Sequence, residues 1–169
     1  MAVADWDFQP AYVLCNPGTG QTAVWHLYNN LFSWSEYGPT LLAGWRLVAV
    51  AGFYGGGAYG DSDYLLFNPI TGQTLIGYLS GTTLIRSDYG PTVPRGWALV
   101  ATADFNYDGY PDYLLYNATT RQTAIWYMNK FLLVAPWGQF FPRAGAWPRQ
   151  PVNNSTSRTM NTSRACANG

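Results

Sequence analysis

The sequence predicts an all-β fold of tandem four-stranded antiparallel units of about 50 residues each, and three observations predict it. The first is an internal repeat. Asn16-Pro17-Gly18-Thr19-Gly20-Gln21-Thr22 returns as Asn68-Pro69-Ile70-Thr71-Gly72-Gln73-Thr74 and again as Asn117-Ala118-Thr119-Thr120-Arg121-Gln122-Thr123. Gly44-Trp45-Arg46-Leu47-Val48-Ala49 returns as Gly96-Trp97-Ala98-Leu99-Val100-Ala101, and Tyr37-Gly38-Pro39-Thr40 as Tyr89-Gly90-Pro91-Thr92, both at an offset of 52 residues, while the seven-residue phrase recurs at 52 and then 49. The second is composition. Of 169 residues 17% are aromatic and only 11% charged, against roughly 25% charged in an ordinary soluble domain. Eighteen Gly and eleven Pro are too many, and too evenly spread, for long helices. The third is segment length: between the Gly, Pro, Asn and Asp residues the apolar runs are short and rich in aromatic and branched side chains, as strands are.

The elements of a unit follow from its third copy. Trp97 to Ala103 is the first strand, Tyr113 to Tyr116 the second, Thr123 to Met128 the third and Phe131 to Ala135 the fourth. These runs are apolar on both faces: Ala124, Trp126 and Met128 point one way, Ile125 and Tyr127 the other, the pattern of a sheet covered on both sides. Four strands per unit, each small sheet buried against the next, is the arithmetic of β-propeller blades, with a stacked linear array as the second arrangement. The blades are expected at residues 1–50, 51–102 and 103–147. Three are too few for a closed ring, so the chain is either part of a longer array or a half that a second copy completes as a homo-oligomer. The Asn-Pro-x-Thr-Gly-Gln-Thr phrase reads as a structural turn, with Pro fixing φ, Gly supplying φ > 0 and Asn bonding its own backbone. Residues 148–169 hold Asn, Ser, Thr and Arg without period or acid and are expected to be disordered.

Charge and motif content exclude several functions. Nine basic and nine acidic residues cancel, which argues against a nucleic-acid partner and against a polybasic membrane-surface binder. No apolar run approaches the roughly 18 residues of a spanning helix, so membrane insertion is not expected. The start, Met1 to Asp7, lacks the basic and apolar regions of a signal peptide. Cys15 and Cys166 make no disulfide framework, and Cys15 aligns with Phe67 and Tyr116 as a core residue. His26 occupies the position of Tyr78 and Tyr127 and reads as a half-buried strand residue. No nucleophile elbow, phosphate loop or zinc-protease helix is present, so the expectation is a protein that is not an enzyme.

The nine carboxylates are confined to two places in the repeat. Asp5, Asp7, Asp61, Asp63, Asp104, Asp108 and Asp112 lie in the loops before the second strand of a unit, and Glu36 and Asp88 share one position before Tyr-Gly-Pro-Thr. The third loop is the complete one. Asp104, Asn106 and Asp108 stand at positions 1, 3 and 5, Gly109 at 6, the Tyr110 carbonyl at 7 and Asp112 at 9, with Leu115 where an EF-hand places its bidentate Glu. Hard oxygen donors at alternate positions suit Ca²⁺ far better than Zn²⁺ or Cu²⁺. The second loop is three residues longer and keeps only Asp63 in register, while the first lacks the Gly and has Ala11 in the closing position.

Asp-x-Asn-x-Asp-Gly-x-x-Asp followed by Tyr-Leu-Leu resembles the calcium loop of FG-GAP and VCBS-type repeats, the blades of integrin-α-like β-propellers. The resemblance covers about residues 1–140 and is most specific at 104–117. It implies an extracellular or cell-surface protein in which Ca²⁺ rigidifies a loop within the blade, held by Asp104, Asn106, Asp108, the Tyr110 carbonyl and Asp112. The function it implies is adhesion or protein recognition. Lectin-like glycan binding through exposed aromatics is the alternative. Aromatics that recur in register, Trp45/Trp97, Trp25/Trp126 and Tyr12/Tyr64/Tyr113, read as core. Trp34, Tyr54, Tyr59, Tyr107 and Trp137 do not recur strictly and are the candidates for ligand contact.

Overall fold

The computed structural model describes residues 1–6, 9–54, 62–130 and 132–141, and among them every regular element is a strand. The first four are β1 (Ala2–Trp6), β2 (Gln9–Cys15), β3 (Gln21–Tyr28) and β4 (Leu31–Thr40). Then come β5 (Arg46–Ala51), β6 (Asp63–Phe67), β7 (Thr74–Ser80) and β8 (Thr83–Tyr89). The last are β9 (Ala98–Ala103), β10 (Asp112–Asn117), β11 (Gln122–Asn129) and β12 (Leu132–Phe141). They form three four-stranded antiparallel sheets, β1-β2-β3-β4, β5-β6-β7-β8 and β9-β10-β11-β12, each in chain order.

The chain passes from one sheet to the next at 41–45 and at 90–97. The strand that enters each acidic loop therefore pairs with the strand that leaves it, as Leu47 with Leu66 and Leu99 with Leu115. Each acidic loop closes a hairpin inside a sheet, and the periods cut at 50 and 102 fall at the ends of β5 and β9. Residues 148–169 lie outside the described residues.

The recurrent seven-residue phrase makes the same turn three times. Asn16 Oδ1 accepts the N–H groups of Gly18 and Thr19, Asn68 Oδ1 those of Ile70 and Thr71, and Asn117 Oδ1 those of Thr119 and Thr120, all within 3.3 Å. A left-handed residue ends each turn: Gly20 (φ 73°), Gly72 (φ 77°) and, in the third, Arg121 (φ 58°). That conformation costs a side chain roughly 1–2 kcal/mol, which is why Gly is the usual choice.

Burial follows the sheet order. Every residue of β6, in the middle sheet, is buried, whereas the outer strands β4 and β8 are largely exposed. One core joins Ala11, Val13 and Val24 of the first sheet to Tyr64 and Leu66 of the middle one. The other joins Leu65, Phe67, Ile76 and Tyr78 of the middle sheet to Tyr113, Leu115, Ala124 and Trp126 of the third. First strands neighbour one another, β1 beside β5 and β5 beside β9, and β4 lies beside β8.

A tyrosine plug fixes each junction. The Tyr64 hydroxyl donates to Thr22 Oγ1 at 3.3 Å, while Thr22 Oγ1 donates to the Pro39 carbonyl at 2.6 Å. Glycine at 38 leaves room for this contact: a Cβ there would stand 2.8 Å from the Tyr64 hydroxyl and 2.6 Å from Thr22 Oγ1, so one of them would have to move. The Tyr113 hydroxyl enters the equivalent Thr74–Gly90 corner, where Thr74 Oγ1 donates to the Pro91 carbonyl at 2.8 Å, but it finds no hydrogen-bond partner there among the described residues. Burial is the largest cause raising the pKa of both phenols above the usual tyrosine value.

Candidate metal centre

The β9–β10 loop is built on Asp112, the first residue of β10, whose side chain is fully buried. Its Oδ2 accepts the N–H of Phe105 at 2.9 Å and its Oδ1 the N–H of Met128 on β11 at 2.8 Å. The carboxylate thus ties the entry of the loop to the third strand of its sheet. Burial pushes Asp112 above the usual carboxylate range. The two N–H bonds oppose that shift, and the neighbouring Asp108 and Asp104 charges add to it. Asp63 makes the same bracket in the middle sheet, accepting the N–H of Phe53 at 3.0 Å and of Leu79 at 3.1 Å.

Above the bracket, Asp104, Asn106 and Asp108 are exposed at the end of the loop. Tyr107 (φ 61°) and Gly109 (φ 86°) are both left-handed, so the chain coils tightly between them. The side-chain oxygens face into that coil. Asp104 Oδ1 accepts the N–H of Asp108 at 3.1 Å and its Oδ2 that of Gly109 at 2.9 Å. Asn106 Oδ1 accepts from the Asp108 N–H at 3.2 Å, and Asp108 Oδ1 from the Tyr110 N–H at 2.9 Å. The Asn106 amide donates to Asp108 Oδ2 at 2.8 Å.

The donor set fits a hard cation. Every candidate is an oxygen, and a carboxylate that accepts one N–H per oxygen keeps lone pairs for a metal. Asp104, Asn106 and Asp108 would hold Ca²⁺ together with the Tyr110 carbonyl, with Asp112 at the base. Among the described residues no three His, Cys, Asp or Glu side chains converge as a carboxylate-only or imidazole site would require. A cation held here would have to draw on amide and carbonyl oxygens as well as on the carboxylates. Of the reduced loops, Asp63 serves as the bracket, Asp61 and Asp7 lie outside the described residues, Asp5 is on β1, and Ala11 is buried.

The structure does not bring the candidate contact aromatics together. Tyr107 caps the β9–β10 loop at 92% exposure. Trp34, on β4, is half exposed and stacks on His26 with ring centroids 3.8 Å apart. Tyr54, at the end of the described part of the β5–β6 loop, meets Tyr78 edge-on, with the Lys130 ammonium 4.9 Å from its ring centre. Tyr59 lies outside the described residues, and Trp137 is on β12 with its side chain outside them.

Two readings from register need correction. Tyr12 and Trp25 recur in step with buried partners, yet they are 37% and 42% exposed, because no described sheet packs on their side of the first sheet. His26 is buried rather than half-buried: its Nε2 lies 3.0 Å from Glu36 Oε1, under the Trp34 ring. Glu36 also accepts from the Thr82 hydroxyl of the middle sheet at 3.2 Å. In that sheet Arg86 lies over the Tyr78 ring and pairs with Asp88. The acid shared by the first two units thus serves differently in each: Glu36 pairs with a residue of the third strand, and Asp88 with the arginine laid over that strand. Cys15 is a free thiol, partly buried against the first core.

Against known protein families, curated proteins and solved structures, the chain matches none.

Proposed function

We propose that the chain is a non-enzymatic, Ca²⁺-binding recognition module built of FG-GAP/VCBS-like blades, three of them arranged as in a β-propeller, and that it acts in adhesion or protein recognition outside cells. The observation that carries the metal reading is the surplus of oxygen donors at 104–108. The middle sheet closes the equivalent hairpin with the Asp63 bracket. In the third sheet Asp104, Asn106 and Asp108 are added to the same bracket and coil around the Asp108 and Gly109 amides. The propeller arrangement is supported by the neighbouring first strands β1, β5 and β9. Binding rather than catalysis is supported by His26, which is buried and engaged with Glu36. An extracellular setting is supported by the loop type, whose weaker members are matched to the high Ca²⁺ found there.

The experiment is calorimetric titration of the chelator-treated protein with Ca²⁺ and with Mg²⁺, repeated on Asp108→Ala. One Ca²⁺ per chain, lost in the variant, is expected. No heat with wild type, or equal binding by the variant, removes the metal reading. A glycan-binding reading draws on a cavity of about 230 Å³ whose lining includes Tyr54, Tyr78, Ile85 and Arg86. Aromatic faces beside a guanidinium suit a sugar ring with polar edges. A glycan array with folded protein tests it, and an array without a hit eliminates it.

A further inference from the structure

The first and third sheets carry the same four residues on one face. In the third sheet Tyr113 pairs with Trp126 and Leu115 with Ala124. In the first, Tyr12 pairs with Trp25 and Leu14 with Ala23. Their surroundings differ. Tyr113 and Trp126 are 0% and 3% exposed, packed in one core with Leu65, Phe67, Ile76 and Tyr78 of the middle sheet. Tyr12 and Trp25 are open, and Leu14, Ala23, Trp25 and Tyr37 help line a shallow groove of about 570 Å³.

The opposite end of the array carries the complementary surface. On the outward face of the third sheet, Leu114, Tyr116, Ile125 and Tyr127 occupy the positions that Leu65, Phe67, Ile76 and Tyr78 hold in the middle sheet. Leu65, Phe67, Ile76 and Tyr78 are all buried, whereas Leu114, Tyr116 and Tyr127 are partly open around a buried Ile125. Thr74, which receives the Tyr113 plug, is fully buried, while its counterpart Thr123 is partly open. One end of the molecule therefore shows a plug without a socket, and the other a socket without a plug.

We infer that copies of this chain associate head to tail. The Tyr12/Leu14/Ala23/Trp25 face of one copy seats on the Leu114/Tyr116/Ile125/Tyr127 face of the next, repeating between molecules the packing of the third sheet on the middle one. The occupant is set by continuity: the internal interface already joins the counterparts of these two residue sets, Tyr113/Leu115/Ala124/Trp126 on Leu65/Phe67/Ile76/Tyr78. Such a contact is heterologous, so it closes into a ring where the rotation allows and otherwise extends into a filament. An apolar, aromatic surface of this kind is rarely left open on a monomer. No metal enters the contact, so association is expected equally in Ca²⁺ and in chelator, and this inference and the calcium reading stand or fall separately.

The test is sedimentation of the full chain across the micromolar range, with circular dichroism as the check on folding. Wild type is expected as a dimer or larger species. Trp25→Glu on the head face and Tyr127→Glu on the tail face are each expected to weaken association by about 100-fold, as removal of a central aromatic anchor does. Tyr12→Lys replaces Trp25→Glu if that variant does not fold. Mixed in equal amounts, a head variant and a tail variant are expected to form dimers only, through the one intact head and one intact tail. A monomeric wild type overturns the inference and assigns another occupant to these faces. Association lost in the head variant but unchanged in the tail variant also overturns it, since the head face would then be meeting itself.

Discussion

The β5–β6 and β9–β10 loops close equivalent hairpins, and their difference separates what the fold requires from what it adds. Both end in a buried aspartate whose two oxygens accept one N–H from the loop entry and one from the third strand of the sheet. Among the described residues, the β5–β6 loop adds no second carboxylate to the bracket. In the third sheet, three further oxygen side chains turn inward on a coil with two left-handed residues. On the proposed calcium reading, the β9–β10 loop is two devices in series: a bracket for the hairpin, and a set of donors that only a cation would use in full. The first should matter in both sheets and in any buffer, the second in one sheet and only with metal.

The largest expected effect tests the bracket. Asp63→Ala leaves two buried N–H groups without acceptors, and Asp112→Ala one buried and one part-buried, at about 1–3 kcal/mol for each buried group. Urea unfolding in chelator should show similar losses of about 2–5 kcal/mol for the two variants. A large loss for Asp63→Ala beside a negligible one for Asp112→Ala would break the comparison and leave Asp112 as a metal ligand alone.

The second prediction separates the devices. Saturating Ca²⁺ should raise the melting temperature of wild type, because a ligand bound to the native state alone at 100 times its Kd adds about 2.7 kcal/mol. Asp108→Ala should lose that gain while costing only about 0.5 kcal/mol in chelator, as expected for an exposed side chain. Equal losses in both buffers would reduce the donor set to a second bracket.

The parts of this arrangement that could be read from the sequence are local ones. The Asn turns were legible because Asn16, Asn68 and Asn117 bond N–H groups two and three residues ahead, so the phrase itself contains the structure. The bracket was hidden because Asp112 and Met128 are sixteen residues apart, and nothing in the loop names the strand it ties. Its one signal was Asp63, kept in a loop that had lost the other donors. Recurrence also misled at Tyr12 and Trp25. A repeat records which residues occupy a face and not what lies against it, so identical residues read as equally buried. The acid at Glu36 and Asp88 was visible as a shared position, but its use depends on the cross-strand neighbours Trp34 and Arg86, which are unlike in chemistry.

The turn that precedes β11 allows a smaller test of how far the third unit departs from the others. Arg121 adopts the left-handed conformation that Gly20 and Gly72 adopt in the equivalent turns. Arg121→Gly relieves about 1–2 kcal/mol of backbone strain, while the freer unfolded chain takes back about 0.4–1 kcal/mol. A net gain of about 0.5–1 kcal/mol in urea unfolding is expected. The reverse change is not symmetric: a Cβ on Gly72 would stand 2.4 Å from the Val93 carbonyl oxygen, so Gly72→Ala should destabilise. A loss on Arg121→Gly would mean that the arginine side chain makes contacts outweighing its strain.

The smallest effect concerns protons. Burial, the largest cause, raises Asp112 above the ordinary carboxylate value, so the folded chain holds this proton more tightly than the unfolded chain does. Between the ordinary and the raised value the native state therefore binds more protons, and this group's contribution to stability grows as pH falls through that window. The sign is opposite to that of a salt-bridged aspartate, whose contribution disappears on acidification. Measured in chelator, the stability of wild type minus that of Asp112→Asn should rise as pH is lowered through the carboxylate range and flatten below it. With Ca²⁺ present the slope should reverse, because the cation competes with the proton for the same oxygens. A wild-type advantage that shrinks with acid in chelator would mean that the Phe105 and Met128 N–H bonds outweigh the cost of burying the charge, making the bracket the stronger of the two devices.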